Sequence, residues 1–383
     1  MYFFKLCNER LVEKFMKFLC EKTKLVEALS SVQKAVAQRS TIPTLEGVLL
    51  RAENMQLSLC GYNTELGITT VIPAQINIEG SVVLNAHLFT DIVRKLPEDL
   101  VDFELSSNFI ALITSGKSSF ELLGLDANEF PSLPTLDTSS SFDISSELLG
   151  SMIRQTIFAV ADTDAKPVHT GTLFDIKERT ITLVSVDGYR MAMRTETISE
   201  DVELRFVVPG KTLREVLHLL PTTEETIKVS AGMRHILFEV GDYTIVSRLL
   251  EGEFLDFKST VPTNIQSKIT VDAHSFISSI ERVSLLITDR LKSPVRCVFG
   301  KNKIHCSCVT VMGKAEDEIA AKSNIEAAFE IAFNNKYMID ALKNADCDEV
   351  EIELSGPLSP IKILPKEGNS FLFLVLPVRI KAQ

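Results

Sequence analysis

The apolar and polar positions of the chain repeat one order of elements three times. Each copy predicts a strand, an amphipathic helix, several alternating strands, a second helix and further strands. The first helix shows the helical period in four apolar positions, Leu25, Leu29, Val32 and Val36. These positions lie at i, i+4, i+7 and i+11, so we expect one buried face with charged residues opposite it.

The second helix of each copy shows that the copies are evenly spaced. Leu88, Leu213 and Met338 hold the same place in the three helices, and both intervals are 125 residues. The central copy lies in residues 207–221, VVPGKTLREVLHLLP. A period this long exceeds those of solenoid repeats, so it predicts tandem whole domains.

The same order of elements places the domain boundaries. Residues 16–139, 140–265 and 266–383 each hold one set, which predicts three α+β domains, each with two helices and antiparallel strands. Residues 1–15 precede the first set. Charges interrupt their apolar start and no small-residue cleavage site follows, so they do not predict a signal peptide. We interpret them as a dispensable extension.

The charge balance bears on the class of partner. The 383 residues carry a formal net charge of −11 at pH 7, whereas a nucleic-acid-binding protein usually has a basic excess. Basic residues nevertheless lie on, or just beyond, the predicted helices: Lys24, Lys34, Arg39, Arg94, Lys95, Arg154, Lys166, Lys211, Arg214, Arg282, Arg290, Lys336 and Lys343. They are either solvated helix faces or a lining that contacts phosphates without reading base sequence. No apolar run approaches the ~20 residues that cross a bilayer, so we expect no membrane partner.

The ends of a three-domain array need a partner of their own. Similar domains laid end to end leave an edge strand at each end, and exposed edges invite aggregation. Head-to-tail contacts between copies remove both edges if they close into a ring. We therefore expect a closed homo-oligomer whose equivalent helices line one face.

The cysteines and a Gly-Lys-Thr motif are the features that could indicate a metal site or a phosphate-binding site. Cys306 and Cys308 lie beside His305 without further ligands at a matching spacing, so we expect reduced, largely buried thiols and no metal site. The phrase at residues 210–212, GKT, ends like a phosphate-binding loop, but Arg205 stands where that motif needs a glycine. We expect no cofactor.

Two other functions stay open on the residues alone. A peptide-binding scaffold without DNA would suit the acidic total, and it would form no ring. A metal-dependent enzyme that uses Asp162, Asp164 or Asp187 would bind divalent cations tightly, although capping and turn roles also suit the first two.

Several short phrases occur in the order and at the spacing of a known family: Met16-Lys17-Phe18, Thr170-Gly171, residues 186–192 (VDGYRMA), residues 208–212 (VPGKT) and residues 376–380 (LPVRI). On these phrases the chain resembles, from Met16 to Ile380, the bacterial DNA polymerase III beta subunit, the replicative sliding clamp. The resemblance implies the DNA clamp fold, in which six domains close as a head-to-tail homodimer ring around duplex DNA, with helices inside and strands outside.

The same resemblance implies a processivity factor that slides without sequence specificity and performs no chemistry of its own. It implies double-stranded DNA and a second copy of the chain as partners. It further implies that short linear peptides connect the ring to the replicative polymerase, the clamp loader and repair proteins. The location it implies is the bacterial cytoplasm, with association to the nucleoid during replication.

Three sets of site residues follow from the resemblance. The DNA-contacting positions are matched by Arg39, His87, Arg94, Thr163, Lys166 and Lys211. The partner-peptide pocket is matched by His169, Gly188, Tyr189, Arg190, Met191, Leu255, Thr260, Ser359, Pro360, Leu376, Pro377, Val378, Arg379 and Ile380. The dimer interface is matched by Lys117, Leu286, Ile287, Glu316, Asp317 and Glu318.

The chain departs from the family pattern in three places. Leu255 replaces a usual proline, Ser259 stands where an arginine is common, and residues 381–383 extend past the usual terminus. We expect these differences to change the preference for a partner peptide rather than the presence of the pocket.

Overall fold

The computed structural model describes residues 14–136, 140–163, 166–288 and 293–379. Some positions singled out in the sequence lie outside this part of the chain: residues 1–13, Asp164, Arg290, Ile380 and residues 381–383. The first strand begins at Lys14, two residues before the expected start of the first domain.

The strands are numbered in chain order. In the first repeat they are β1 Lys14–Glu21, β2 Gly47–Glu53, β3 Gln56–Tyr62, β4 Leu66–Pro73, β5 Gln75–Ile78, β6 Gly80–Asn85, β7 Leu100–Ser106, β8 Ile110–Ser115 and β9 Ser118–Leu123. In the second repeat they are β10 Ser141–Ser145, β11 Gly171–Lys177, β12 Thr180–Val186, β13 Arg190–Thr197, β14 Leu204–Pro209, β15 Thr226–Ala231, β16 His235–Val240 and β17 Tyr243–Arg248. In the third repeat they are β18 Ser267–Asp272, β19 Val295–Gly300, β20 Lys303–Thr310, β21 Gly313–Ala320, β22 Lys322–Ser323, β23 Phe329–Phe333, β24 Glu349–Leu354, β25 Ile361–Pro365 and β26 Phe371–Val375.

The helices begin directly, or one residue, after a strand, except for a four-residue turn of helix in the second repeat. They are α1 Lys22–Val32, α2 Ala86–Lys95, α3 Ser146–Ile157, α4 Gly210–Leu219, α5 Phe257–Thr260, α6 Ala273–Val283 and α7 Asn335–Lys343. Side-chain caps fix several of these starts, because Asn85, Ser145 and Asp272 each accept a hydrogen bond from a backbone N–H three residues later.

Backbone contacts divide the chain into two compact units. The first unit contains the described residues of 1–141 together with 218–221 and 227–248. The second unit contains the described residues of 142–217, 222–226 and 249–383. Each unit therefore combines strands from two consecutive repeats.

In the first unit, one sheet has the order β5-β1-β7-β8-β9, and another runs through β15-β16-β17-β4-β3-β2-β6. Antiparallel pairing of β17 with β4, which places Tyr243 opposite Thr70, joins the second repeat to the first. Helix α1 lies against β3 and β4. In the core, the Phe18 and Phe103 rings stack with centroids 4.7 Å apart.

The second unit repeats this construction. One sheet has the order β14-β11-β12-β13-β26-β25-β24-β18-β22, and the other has the order β21-β20-β19-β23. Antiparallel pairing of β13 with β26, which places Arg190 opposite Val375, joins the third repeat to the second. Phe276, Phe299 and Phe373 are fully buried in its core. Both junctions between consecutive repeats are therefore continuous sheets.

Apolar alternation predicts β19, β20 and β23 but not their neighbour β21. The sequence of β21, GKAEDEIA, places charges on both faces of the strand, so no apolar face marks it. Pairing with β20 from Lys303 opposite Ala320 to Thr310 opposite Gly313 makes it a strand. None of the helices in the described ranges has the length and apolar character that a membrane crossing needs.

Candidate binding sites

An apolar patch on the second unit is the first candidate site. Its buried members come from β11–β14, β26 and the segments next to them: Val168, Leu173, Val184, Val186, Met191, Val207, Phe254, Phe257, Leu372 and Leu374. We call these residues the second-unit patch. Thr260 Oγ1 donates to the Phe257 carbonyl at 2.7 Å and lies 3.7 Å from Met191 Sδ, so α5 is held against β13. These members are each no more than 7% exposed, so the surface that a peptide could meet consists of the more exposed side chains around them.

A tight turn between β12 and β13 forms one edge of the patch. Asp187 Oδ1 accepts hydrogen bonds from the backbone N–H groups of Tyr189 at 2.9 Å and Arg190 at 3.0 Å. Gly188 has a φ of +89°, a backbone conformation that any other residue would adopt only with strain, although there is open space around it. The turn therefore presents Tyr189, which is 62% exposed, and the Tyr189 ring stacks on Tyr337 at 6.0 Å.

Arg190 is mostly buried, and its charge is paired within the chain. Its guanidinium binds Asp187 at 2.9 Å and Asp340 at 2.5 Å, and the side chain is 11% exposed. Its Cζ atom lies 4.6 Å from the centroid of the Tyr337 ring. These contacts tie β13 to α7 and hold the turn between β12 and β13 in place.

His169 forms part of the wall of the patch. Its ring meets Phe254 edge-on at 5.7 Å between centroids. Burial lowers the pKa of His169, and nearby Lys166 lowers it further, while Asp187 opposes both. The imidazole is therefore mostly neutral at pH 7 and suits an apolar ligand.

The remaining predicted pocket residues come from the last strands of the second unit. Leu376 N donates to the Tyr189 carbonyl at 2.9 Å, and Val378 N donates to the Ala332 carbonyl at 2.7 Å. Pro377 forms a bridge with Phe333. Leu376, Val378 and Arg379 are exposed. The backbone of this segment is thus fixed while its side chains remain accessible.

Two further predicted residues approach from β25, and one from the segment before α5. Ser359 and Pro360 precede Ile361, which pairs with Val375, the residue before Leu376. Leu255 is exposed next to the buried Phe254. The structure therefore brings His169, residues 188–191, Leu255, Thr260 and the two C-terminal segments together within one unit, and Ile380 lies outside the described residues.

Much of the floor of the patch was not predicted from the sequence. Val168, Phe254, Phe257 and Leu374 are buried there but were not among the predicted residues. The signal that could have found Phe254 is the repeated phrase around Phe130, because the two lie 124 residues apart. The spacing of residues along the chain does not show which distant residues are buried together in one cluster.

The predicted DNA-contacting residues are all exposed. Arg39 follows α1, and His87 and Arg94 lie on α2 in the same unit. Arg94 donates to Ser30 Oγ at 2.9 Å. In the second unit the three members are Thr163, Lys166 and Lys211. Each unit therefore presents three of the six side chains to solvent.

Charge is distributed unequally between the helices and the rest of the chain. The six helices of nine residues or more contain ten Lys or Arg and six Asp or Glu, a formal charge of +4. The rest of the chain then carries −15, because the total is −11. An acidic protein can hold a polyanion if its basic residues share one surface.

Two edge strands, one in each unit, are candidates for contact with a second copy of the chain. The sheets end at β9 in the first unit and at β21 in the second. Lys117 lies exposed in the turn before β9, and Phe120 and Leu123 of that strand are 38% and 75% exposed. A 3₁₀ turn, Ser284–Leu286, lies against β20 and β21.

The acidic residues predicted at this interface already bind cations within the chain. Lys314 pairs with Glu316 at 2.5 Å, Arg282 with Asp317 at 2.6 Å, and Lys303 with Glu318 at 2.9 Å. Their charges are thus partly neutralised. Leu286 and Ile287 are half-buried. Leu285, which the sequence analysis did not single out, is 81% exposed and is the more accessible apolar group.

Among the described residues, no group of three or more His, Cys, Asp or Glu is placed to hold a metal ion. Asp187 binds Arg190, and Asp162 is exposed. The thiols of Cys297 and Cys306 form a hydrogen bond of 3.2 Å in the core, and both are free cysteines. Burial raises the pKa of Cys297 well above its ordinary value.

Comparisons with known proteins agree along the chain. Models of the N-terminal, central and C-terminal domains of the DNA polymerase III beta subunit match residues 16–134, 143–256 and 258–379. The beta sliding clamp of Staphylococcus aureus (strain Mu50) is 33% identical over 376 residues, covering 95% of this chain and 99% of the relative.

Solved structures give the same result. The DNA polymerase sliding clamp of Bacillus subtilis superposes with a TM-score of 0.93 at 32% identity, covering 96% of this chain and 100% of the other. The beta sliding clamp of C. crescentus, solved with polyethylene glycol bound to a proposed beta-motif tethering region, has a TM-score of 0.90 at 27% identity. That comparison covers 95% of this chain and 99% of the other.

Proposed function

Because this chain belongs to the DNA polymerase III beta subunit family, whose members are sliding clamps, we propose that it tethers the replicative polymerase to duplex DNA. It acts as a processivity factor, and its three domains have the clamp fold of α+β repeats. We propose domains at residues 16–139, 140–265 and 266–383; strand β1 begins at Lys14, so residues 14 and 15 fold with the first domain and residues 1–13 precede it.

Ring closure rests on one observation about the repeats. The strands β9, β17 and β26 hold the same place in successive repeats, as do β4, β13 and β21. Within the chain, β17 pairs with β4 and β26 pairs with β13. The strands left over are β9 and β21, and they lie at sheet edges. A second copy that pairs its β21 with this β9, and its β9 with this β21, closes a six-domain ring.

The contacts of this interface divide into apolar and charged groups. Phe120 and Leu123 on one edge would meet Leu285 and Leu286 beside the other, and burying these groups supplies most of the affinity. Lys117 with Glu316, Asp317 and Glu318 sets the register. Since the three acids have cation partners in the chain, their contribution to affinity is small.

The DNA path follows from charge rather than from base contacts. We propose that the longer helices face the hole, where their charge of +4 attracts phosphates, and that the rest of the chain carries the acids away from DNA. Arg39, Arg94, Lys166 and Lys211 would contact phosphates, whereas Thr163 and His87 would add polar contacts. Such binding has no sequence specificity and weakens with salt.

The second-unit patch is the proposed tethering pocket. A short peptide would place Leu or Phe anchors against the exposed Tyr189, Leu255 and Leu376, which lie around the buried cluster. The polymerase, the clamp loader and repair proteins would use this pocket in turn. The protein itself would perform no chemistry and use no cofactor, and it would work in the bacterial cytoplasm on nucleoid DNA.

Topological retention tests this function. The protein, loaded by its clamp loader onto nicked circular DNA at moderate salt, should stay bound through gel filtration and should slide off after the circle is cut. Leu285→Asp places a charge at the proposed interface, so we expect loss of retention and a monomeric mass in sedimentation. Met233→Asp is the control, because Met233 is fully exposed in a turn outside the proposed edges. Equal retention on circular and linear DNA would contradict the proposal.

A further inference from the structure

The first unit contains a groove that the proposed function does not use. The groove has a volume of about 280 Å³ and is open to solvent. Its walls come from β2, β3, β4 and the segment at residues 127–133, and they include Leu49, Arg51, Cys60, Thr69, Phe130 and Leu133. The volume is near the lower end of the roughly 300–1,000 Å³ of ligand pockets, so the groove suits one or two side chains.

Repeat symmetry relates this groove to the second-unit patch. At an interval of 124 residues, the counterparts of Leu49, Cys60, Thr69, Phe130 and Leu133 are Leu173, Val184, Met193, Phe254 and Phe257. Four of these counterparts belong to the second-unit patch, and Met193 packs against it. The same strands, β2–β4 in one repeat and β11–β13 in the next, therefore present the same surface twice.

Side-chain size explains why the first copy is an open groove. Cys60, Thr69 and Leu133 are each smaller than their counterparts Val184, Met193 and Phe257. In the second unit Val184 and Phe257 are buried, and Met193 is partly buried against them. In the first unit the missing volume remains accessible between the sheet and the segment that contains Phe130.

Charge distinguishes the two surfaces as well. Arg51 is exposed, and among the described residues that line the groove it is the charged one. Its counterpart, Asp175, is paired with Arg205 at 3.1 Å. The rim of the groove is therefore cationic where the second repeat has a neutralised pair, and a carboxylate beside an apolar anchor would complement it.

We propose that this first-unit groove binds short acidic peptides that carry one apolar anchor. The anchor packs against Leu49, Phe130 and Leu133, and a carboxylate of the peptide lies on Arg51. The binding needs neither ring closure nor DNA, so its failure would leave the proposed function intact.

Photo-crosslinking of the full-length protein tests this site. The probe is the peptide acetyl-Glu-Asp-photoleucine-Asp-Gly-amide, and mass spectrometry maps the labelled residues. We expect crosslinks in β2, β3 and residues 127–133. Thr69→Met installs the larger side chain of the second repeat and should lower the yield at least about fivefold, whereas Thr41→Met, at an exposed threonine outside the groove, should not.

The charge is tested separately. Arg51→Glu should lower the yield about fivefold, as expected for one exposed charge contact and its reversal, and the control Arg234→Glu should leave it unchanged. Crosslinks confined to the second-unit patch, no site-specific crosslink at millimolar peptide, or full labelling of Thr69→Met would each overturn the proposal. Equal labelling by a probe with glycine in place of its acids would overturn the assignment of an acidic ligand.

Discussion

The strands at the internal junctions and the strands at the free edges hold the same places in the repeat but differ in composition. In β26, FLFLV, every residue is buried, and the strand pairs with β13. In β9, SSFELL, most residues are exposed, and the strand ends its sheet. A contact that forms once, during folding, can use a wholly apolar strand. A strand that is exposed to water until a second copy binds cannot be wholly apolar, because an exposed apolar edge would aggregate.

The opposite edge shows the same contrast. Its strand β21 carries Lys314, Glu316, Asp317 and Glu318, whereas the equivalent junction strand β13 buries Met191 and Ala192. Charges on an edge discourage pairing with an unrelated strand, and they permit pairing with an edge of matching charge. The difference suggests that junction side chains stabilise the fold, and that edge side chains mainly select the partner.

The largest test of this contrast compares two phenylalanines. Phe373→Ala in β26 removes a fully buried ring that stacks on Phe371 at 4.6 Å, and we expect a loss of about 4 kcal/mol in the unfolding free energy of the second unit. Phe120→Ala in β9 removes a half-exposed ring and should cost about 0.5 kcal/mol or less in the monomer.

Urea unfolding followed by hydrogen exchange in β25 and β26 measures the first loss. Dilution series of Phe120→Ala by analytical ultracentrifugation should instead show weaker dimerisation. The contrast fails if the two variants destabilise the monomer equally.

An intermediate test compares two arginines. Arg190→Met at the junction leaves the mostly buried Asp187 without its cation and removes the link to Asp340, so we expect a loss of about 3 kcal/mol. Arg282→Met beside the edge breaks an exposed pair with Asp317 and should cost about 1 kcal/mol or less. Thermal unfolding of both variants at equal concentration provides the comparison, and similar losses would contradict it.

The smallest test compares two carboxylates by pH. Burial raises the pKa of Glu353 in the junction sheet, but hydrogen bonds from Lys268 and Lys362 outweigh it and hold the pKa below the ordinary 4.5. Its stabilising contribution is therefore present above pH 4.5 and is lost as the pH falls through the folded value. Glu353→Gln should flatten the acid side of the stability profile measured by urea titration.

Glu316 on the edge strand supplies the matched control. A hydrogen bond from Lys314 lowers the pKa of Glu316, but this carboxylate is exposed. In about 0.5 M salt the contribution of Glu316 to the pH dependence of stability should disappear, because exposed ion pairs are screened. The contribution of Glu353 should persist. Equal salt sensitivity of Glu353→Gln and Glu316→Gln would show that the junction pair is no better shielded than the edge pair.

The binding surfaces were predictable to different degrees. Residues 188–191 and 376–379 form recognisable motifs, so the resemblance could name them, and the structure places both segments in the second unit. No recognisable motif marks the residues of its floor, Val168, Phe254 and Phe257. Arg190 was expected to line the pocket, and only its contacts with Asp187 and Asp340 show that it holds the turn.

Amino-acid pattern alone determined the repeat, the helices and most strands, because apolar periodicity and spacing are local properties of a chain. It could not determine β21, whose charged residues become a strand through pairing with β20. Nor could it show that β4 pairs with β17 and β13 with β26 while β9 and β21 remain at edges. Those outcomes depend on contacts between residues far apart in the chain, and only the tertiary structure decides them.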